Sequence, residues 1–176
     1  MPSQSSVRWA HAALLFGVCG AASCRLFDLG DWAGYVFPIP FGLVAAWICV
    51  GGILPRLALV ILDALVWQLA YRMAVALAAD GPTLKRTVGV YLAGLAGGLG
   101  VSLATAIVKR QAPAIRAIGI CALAGAVCGL PFAWWLISGN QAPIPDWAFS
   151  TFCFAVWQAS VGVCLWQSFR LGRPKA

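Results

Sequence analysis

The sequence is poor in charged residues, and this lack excludes an ordinary water-soluble fold. Only 10% of the residues are Asp, Glu, Lys or Arg, whereas 62% are hydrophobic. A typical soluble domain has about 25% charged and about 45–50% apolar residues. A soluble fold cannot hide so much apolar surface, but a bilayer removes the need for a polar exterior. The composition therefore predicts one integral membrane domain over residues 1–176, with the lipid bilayer as its partner.

The residues of common catalytic and metal sites are also scarce. His11 is the only histidine, so one chain cannot ligate a haem through two histidines. The seven cysteines form no CxxC motif or Cys/His cluster, which indicates small buried apolar side chains. No HExxH motif or P-loop is present, and no pair of nearby carboxylates suggests hydrolysis. We therefore predict no enzymatic activity, no catalytic residues, no metal site and no cofactor.

What the chain does contain is a series of six long apolar segments. Most have about the 20 residues that a helix needs to cross the hydrocarbon core. Backbone groups in a bilayer must bond within a helix or a closed barrel, and the alternating pattern of barrel strands is missing. The predicted fold class is all-α, a polytopic membrane protein with a compact bundle of about six transmembrane helices. The predicted helices cover residues 9–26, 36–54, 57–79, 88–108, 117–137 and 147–169.

The first segment has a second interpretation, as a signal peptide. Arg8 precedes its apolar run, and Ala21-Ala22-Ser23-Cys24 loosely resembles a lipoprotein cleavage box. Such a box normally has Leu in place of Ala21, and a sixth helix balances the charges better. We therefore expect this segment to remain as a helix.

The net charge of +7 is better explained by membrane topology than by nucleic acid. The basic residues are scattered between apolar segments and form no basic stripe, so we expect no nucleic-acid partner. Positive charge in short loops tends to stay in the cytoplasm. An internal N-terminus leaves Arg25, Lys85 and Arg86 outside. It places eight residues inside, namely Arg8, Arg56, Lys109, Arg110, Arg116, Arg170, Arg173 and Lys175. This bias predicts a bacterial inner (plasma) membrane protein with both termini in the cytoplasm.

The third segment contains the polar residues that indicate a function. Ionisable side chains in a membrane helix are costly and usually face a protein interior or an aqueous cavity. Gln68, Tyr71 and Arg72 share a helix face at three- and four-residue spacing. Asp63 lies nine positions from Arg72, on the opposite face. We predict a small cavity in which these residues meet Gln158, which lies at a similar depth to Gln68.

Each residue of this predicted cavity has an expected role. Arg72 offers a fixed positive charge to a small anionic solute. Gln68, Tyr71 and Gln158 complete the binding site, and Asp63 is an ion or proton site. Two alternatives stay open. The polar groups can bond between helices as packing contacts, each pair contributing about 0.6 kcal/mol and at most about 2 kcal/mol. Arg72 can instead extend its long side chain to the outer headgroups.

The fourth and fifth segments contain small residues at helical spacing. Gly94 and Gly98 lie four apart in one segment, and Gly125 and Gly129 lie four apart in the next. This spacing lets two helix backbones approach closely, so these glycines are predicted to be helix-packing positions. The alternative is that the glycines unwind the fourth helix and expose carbonyl groups to a ligand. In the fifth segment, Pro131 can kink the helix.

These features favour a small-solute binding or transport component. In size and helix number alone, the chain resembles the substrate-binding subunits of energy-coupling-factor vitamin transporters, a resemblance that carries no residues across. One alternative is a non-catalytic accessory, assembly or immunity subunit that packs against a membrane-protein partner. Another is an oligomeric membrane-permeabilising effector. Homo-oligomer contacts are expected through Ala70, Ala74 and Ala78.

Overall fold

The regular structure of the chain is helical throughout the part that can be described. The computed structural model describes residues 4–26, 36, 38–78, 83–111, 115–137 and 145–171 of the 176-residue sequence. Its helices are α1 (Gln4–Leu26), α2 (Ile39–Cys49), α3 (Ile53–Ala78), α4 (Thr83–Lys109), α5 (Ile115–Cys128), α6 (Leu130–Ile137) and α7 (Asp146–Leu171). Since Gly129 alone separates α5 from α6, these ranges contain six helical segments. The all-α prediction is confirmed.

Three helices in the described ranges are long and apolar enough to cross a membrane. They are α3, α4 and α7, whose apolar stretches have mean hydropathies of 1.8, 1.7 and 1.6. Large apolar side chains cover the outside of the bundle, with Leu57, Ile61 and Leu65 of α3 more than half exposed. Water solvates such a surface poorly, whereas lipid solvates it well. These three helices therefore have the length and the apolar surface of membrane-spanning helices.

The second helix is much shorter than the predicted segment 36–54. It begins after Pro38, and Pro40 lies in its first turn, where the missing N–H of a proline has no partner anyway. It ends before Val50, whose backbone is extended, and Gly52 then turns the chain with a φ of 82°. Its 11 residues span about 17 Å, which is short of the roughly 30 Å of a hydrocarbon core. On its own, α2 does not cross a bilayer.

The fifth predicted segment is broken rather than continuous. Pro131 has no N–H to donate to the carbonyl of Val127, and its ring crowds that carbonyl. The break lies two residues earlier, at Gly129, whose N–H bonds to Ala126 three residues back. The backbone then resumes helical bonding from Ala133 to Gly129. The segment is thus two helices, α5 and α6.

The helices pack around a shared apolar core. α1 runs along α7, α4 lies against both α3 and α5, and α2 contacts α1, α3 and α7. Phe16 of α1 and Phe41 of α2 are fully buried, with ring centroids 5.0 Å apart. Other fully buried members of this core are Leu59, Val101, Cys121, Val161 and Leu165. The core thus takes side chains from six helices, and α3 packs beside both α2 and α4.

Candidate functional site

Asp63 lies in the interior of the bundle, on the face of α3 that also carries Leu59 and Ala70. It has no exposed surface. A Cβ atom built on Gly42 of α2 would lie 3.4 Å from Oδ2 of Asp63, so the backbone of α2 passes close to the carboxylate. Ala45 and Ala46 are also buried on α2, and such small side chains let the two helices approach closely. The carboxylate is therefore held against the backbone of the short helix.

The carboxylate of Asp63 lacks a hydrogen-bond partner. Neither Oδ1 nor Oδ2 accepts a hydrogen bond within the described ranges. A buried polar group without a partner costs several kcal/mol, and a buried unpaired charge costs far more. Asp63 is therefore a destabilising feature of the fold, unless a proton or a ligand neutralises it.

Two hydroxyl groups of α4 are buried, but they bond within their own helix. Ser102 donates to the carbonyl of Leu99 at 2.7 Å, and Thr105 donates to that of Val101 at 2.8 Å. These local bonds satisfy each hydroxyl hydrogen without a second helix. Neither hydroxyl therefore uses its hydrogen to stabilise Asp63.

Gln158 of α7 is fully buried and bonds across to α1. Its Nε2 donates to Oγ of Ser23, which is also fully buried, at 3.2 Å. Its Oε1 has no hydrogen-bond partner among the described residues. The neighbouring Trp157 donates from Nε1 to the carbonyl of Gly125 at 3.0 Å. The polar groups of α7 thus connect it to α1 on one side and to α5 on the other.

The other predicted binding residues do not join Asp63 in the interior. Gln68 is half-buried, Tyr71 is 42% exposed and Arg72 is exposed. The reason is geometric, because packing Asp63 inward turns the residue nine positions later to the opposite side of α3. The structure therefore brings Asp63 and Gln158 into the bundle and places Arg72 and Tyr71 on its outer surface.

The predicted packing glycines lie where α4 meets α5. A Cβ atom on Gly94 would collide with the carbonyl of Gly125, and one on Gly98 with the carbonyl of Cys121. A Cβ atom on Gly129 would lie 3.3 Å from the carbonyl of Ala126 and 3.7 Å from that of Val90. The alternative of an unwound fourth helix is wrong, since α4 is continuous from Thr83 to Lys109.

A second close helix contact was not predicted. A Cβ atom on Gly20 of α1 would collide with the carbonyl of Phe154 in α7, and one on Gly162 of α7 with the ring of Phe16. Gly17 faces α7 too, since a Cβ atom on it would lie 3.8 Å from that of Ala159, and the small residues Ala13, Gly17 and Ala21 at four-residue spacing are a sequence signal for such a contact. Ala70, predicted at an oligomer contact, is buried within the chain and lies 4.0 Å from a Cβ built on Gly97.

Fold and site together define a helical membrane protein whose described interior contains an unpaired carboxylate. No group of three or more His, Cys, Asp or Glu side chains within the described ranges has the arrangement of a metal site. Comparisons with family models, with curated proteins and with solved structures find no match to this chain. The function must therefore be inferred from the residues themselves.

Proposed function

We propose that the protein is a multi-pass small-solute transport component of the bacterial inner membrane, with a proton or small cation bound at Asp63. The observation that supports this proposal is the burial of Asp63 without a hydrogen-bond partner in the described structure. Ionisable residues inside membrane helices commonly mark ion pathways and proton relays, because their cost must be offset by a role. A proton or a cation would neutralise the carboxylate in place.

The proposed topology has both termini in the cytoplasm and six segments across the membrane. Because α2 alone is too short, the second crossing in this topology takes the whole of residues 36–54. The support for this topology is the charge distribution along packed helices. Arg56 is near the start of α3, Lys109 ends α4 and Arg116 is near the start of α5. A Cβ atom on Gly100 would meet Val66 and one on Gly97 would lie 4.0 Å from Ala70, so α4 is antiparallel to α3. Gly94 likewise meets Gly125 and Gly98 meets Cys121, so α4 is antiparallel to α5 as well, and the three cations lie at one end of the bundle. Positive charge at one end is typical of a cytoplasmic side.

Single-cysteine labelling on a cysteine-free background tests this topology. Cysteines at Ser5, Asn140 and Lys175 report the N-terminus, an outer loop and the C-terminus. An impermeant maleimide added to intact cells should label only position 140. External labelling at position 5 or 175 would overturn the arrangement with both ends inside.

Ion flux in liposomes tests the role of Asp63. The wild-type protein, Asp63→Asn and the matched control Asp146→Asn are reconstituted with a trapped pH dye or a trapped sodium dye. Asp146 is an exposed residue in the first turn of α7, so its change removes one carboxylate without touching the interior. We expect Asp63→Asn to abolish the flux and Asp146→Asn to retain it.

Stability separates this role from a structural one. Replacing an unsatisfied buried carboxylate by an uncharged group of the same shape should leave the free energy of unfolding unchanged or raise it by about 1–3 kcal/mol. Loss of flux with folding retained supports the proposal. Equal flux in all three proteins, or a destabilised Asp63→Asn, contradicts it.

A second candidate function is that of an accessory subunit, and the outward face of α3 favours it. Only 17% of the apolar stretch of α3 is buried, against 50% for α4. Arg72 lies on this exposed face, where a partner helix could supply an anionic group. A photo-crosslinking residue at Leu69, beside Arg72, should capture a specific membrane protein if this function is correct. Crosslinks to lipid alone would count against it.

A further inference from the structure

Arg56 is held in place beside the turn between α2 and α3. Its Nε donates a hydrogen bond to the carbonyl of Val50 at 3.1 Å, and its guanidinium carbon lies 4.4 Å from the centre of the Trp47 ring. The other guanidinium nitrogens bond to no residue within the described ranges. Trp47 is 72% exposed, so this pair lies on the surface of the bundle. The structure thus presents a fixed cation with hydrogen-bond donors that remain available.

The pair formed by Arg56 and Trp47 lies at the depth of lipid headgroups. α3 spans Ile53–Ala78, so its midpoint lies between residues 65 and 66. Arg56 is therefore about ten residues, or about 15 Å, from the middle of the helix. Half the thickness of a hydrocarbon core is also about 15 Å. With α3 centred in the bilayer, the pair meets the phosphate groups of one leaflet, a level at which tryptophan is enriched.

A second arginine lies at about the same level on the neighbouring helix. A Cβ atom on Gly100 of α4 would collide with Val66 of α3, so these two positions face each other across antiparallel helices. Ten residues further toward this end lie Arg56 in α3 and Arg110, directly after α4. Arg110 is exposed. Two guanidinium groups therefore belong to the same level of the bundle.

The charged residues at this end are all basic within the described ranges. Arg116 is in the first turn of α5, and Lys109 donates from Nζ to the carbonyl of Phe169, near the end of α7. The described acidic residues lie elsewhere. Asp63 is in the interior, and Asp146 begins α7, at the opposite end of that helix from Phe169. This end of the bundle therefore attracts anions.

We propose that this end of the bundle binds an anionic phospholipid, whose phosphate accepts hydrogen bonds from Arg56. The fork of a guanidinium matches two phosphate oxygens at once. An anionic headgroup has no amine to offset its phosphate, so it complements an end whose described charges are all positive. Because Val50 and Trp47 already hold the guanidinium, binding costs little further side-chain entropy.

The acyl chains of such a lipid have an apolar surface beside Arg56. Leu57 and Ile61 are four residues apart on one face of α3, and both are more than half exposed. This face leads from the level of Arg56 toward the middle of the bilayer. On α2, Leu43 lies one turn from Trp47 and is also more than half exposed. A free phosphate ion gains nothing from these side chains, so the surface favours a lipid over a soluble anion.

Lipid binding to the delipidated protein in mild detergent tests the proposal. Native mass spectrometry measures the dissociation constants of phosphatidylglycerol and of phosphatidylcholine with the same acyl chains, two probes that differ in net charge. We expect the wild type to bind phosphatidylglycerol at least about fivefold more tightly. An excess of inorganic phosphate should leave this lipid bound, because it cannot replace the contacts of the acyl chains.

Substitutions show whether the pair is the binding site. Arg56→Gln should weaken binding of phosphatidylglycerol about fivefold. Trp47→Leu keeps the positive charge but frees the guanidinium, so it should weaken binding about two- to tenfold. Because Trp47 is largely exposed, this variant should fold even if Arg56→Gln does not. Lys85→Gln is the matched control, since it removes one positive charge from an exposed position in the first turn of α4, at the opposite end, and should bind as the wild type does.

Four results would overturn the proposal. They are equal binding of the two lipids by the wild type, displacement of the lipid by inorganic phosphate, wild-type affinity in folded Arg56→Gln or in Trp47→Leu, and equal weakening in Lys85→Gln. Asp63→Asn should bind phosphatidylglycerol as the wild type does, because Asp63 lies in the interior. Lipid binding and ion flux can therefore fail separately.

Discussion

Gly94 and Gly125 hold the backbones of α4 and α5 in direct contact, because a Cβ atom on either glycine would collide with the carbonyl oxygen of the other. Hydrophobic attraction between helices is weak in lipid, so packing contacts of this kind carry much of the association. The contact also positions Trp157, which donates its indole hydrogen to the carbonyl of Gly125.

A methyl group at this contact should therefore be costly. We expect Gly125→Ala to lower the free energy of unfolding in detergent by about 1–3 kcal/mol, since the two backbones must separate. The matched control is Gly119→Ala in the same helix, where the added Cβ would have no neighbour within 4 Å other than the backbone next to it. Titration with a denaturing detergent, followed by circular dichroism, measures both. Equal stability of the two variants would show that the close contact is unimportant.

The bond between Ser23 and Gln158 should appear as a coupling between α1 and α7. A double-mutant cycle with Ser23→Ala and Gln158→Leu isolates the 3.2 Å hydrogen bond from the packing of each side chain. We expect a coupling free energy of about 0.6 kcal/mol, and at most about 2 kcal/mol, as for other hydrogen bonds between membrane helices. Strictly additive effects on unfolding would contradict the bond.

The end of α4 offers a stabilising substitution. Arg110 has a φ of 52°, a left-handed conformation that is costly for residues with a Cβ. Its N–H bonds to Ile107, and that of Gln111 bonds to Ala106, as in a Schellman motif that usually has glycine at this position. We expect Arg110→Gly to raise the free energy of unfolding by about 0.5–1 kcal/mol.

Arg116→Gly is the control for this substitution, because it removes the same charge from a helical position in α5. It should lower stability by up to about 1 kcal/mol, as glycine does within a helix. Chemical unfolding of both variants in detergent measures the difference. A destabilised Arg110→Gly would mean that the arginine side chain contributes more than its backbone strain costs.

Helix periodicity predicts that Asp63 and Arg72 lie on opposite faces of α3, but it does not predict which of the two is buried. Their placement on opposite faces of α3 follows from helix geometry. Helix geometry does not determine which face packs against the other helices, because both faces are rich in apolar residues and either can face lipid. The neighbouring helices decided it, since Gly42 of α2 allows a close approach on the side of Asp63.

Two of the predicted segments are interrupted in the structure, and the sequence indicates one interruption more clearly than the other. Pro131 is a visible signal in the sequence for interruption of the fifth segment. The end of α2 has a weaker signal, the pair Gly51-Gly52, which marks a turn but is also common inside membrane helices. Here the extended backbone of Val50 and the left-handed Gly52 form the turn into α3.

The sequence by itself determined the membrane character and the helical class, because both depend on how much apolar surface there is and on the need to satisfy backbone groups in lipid. It also indicated the close contact of the glycines, which requires only small residues at regular spacing. Only the tertiary structure decided that Asp63 is buried and that Arg72 is exposed. Those outcomes depend on which helix faces pack together, and in a uniformly apolar chain side-chain volume and close backbone contact settle that choice.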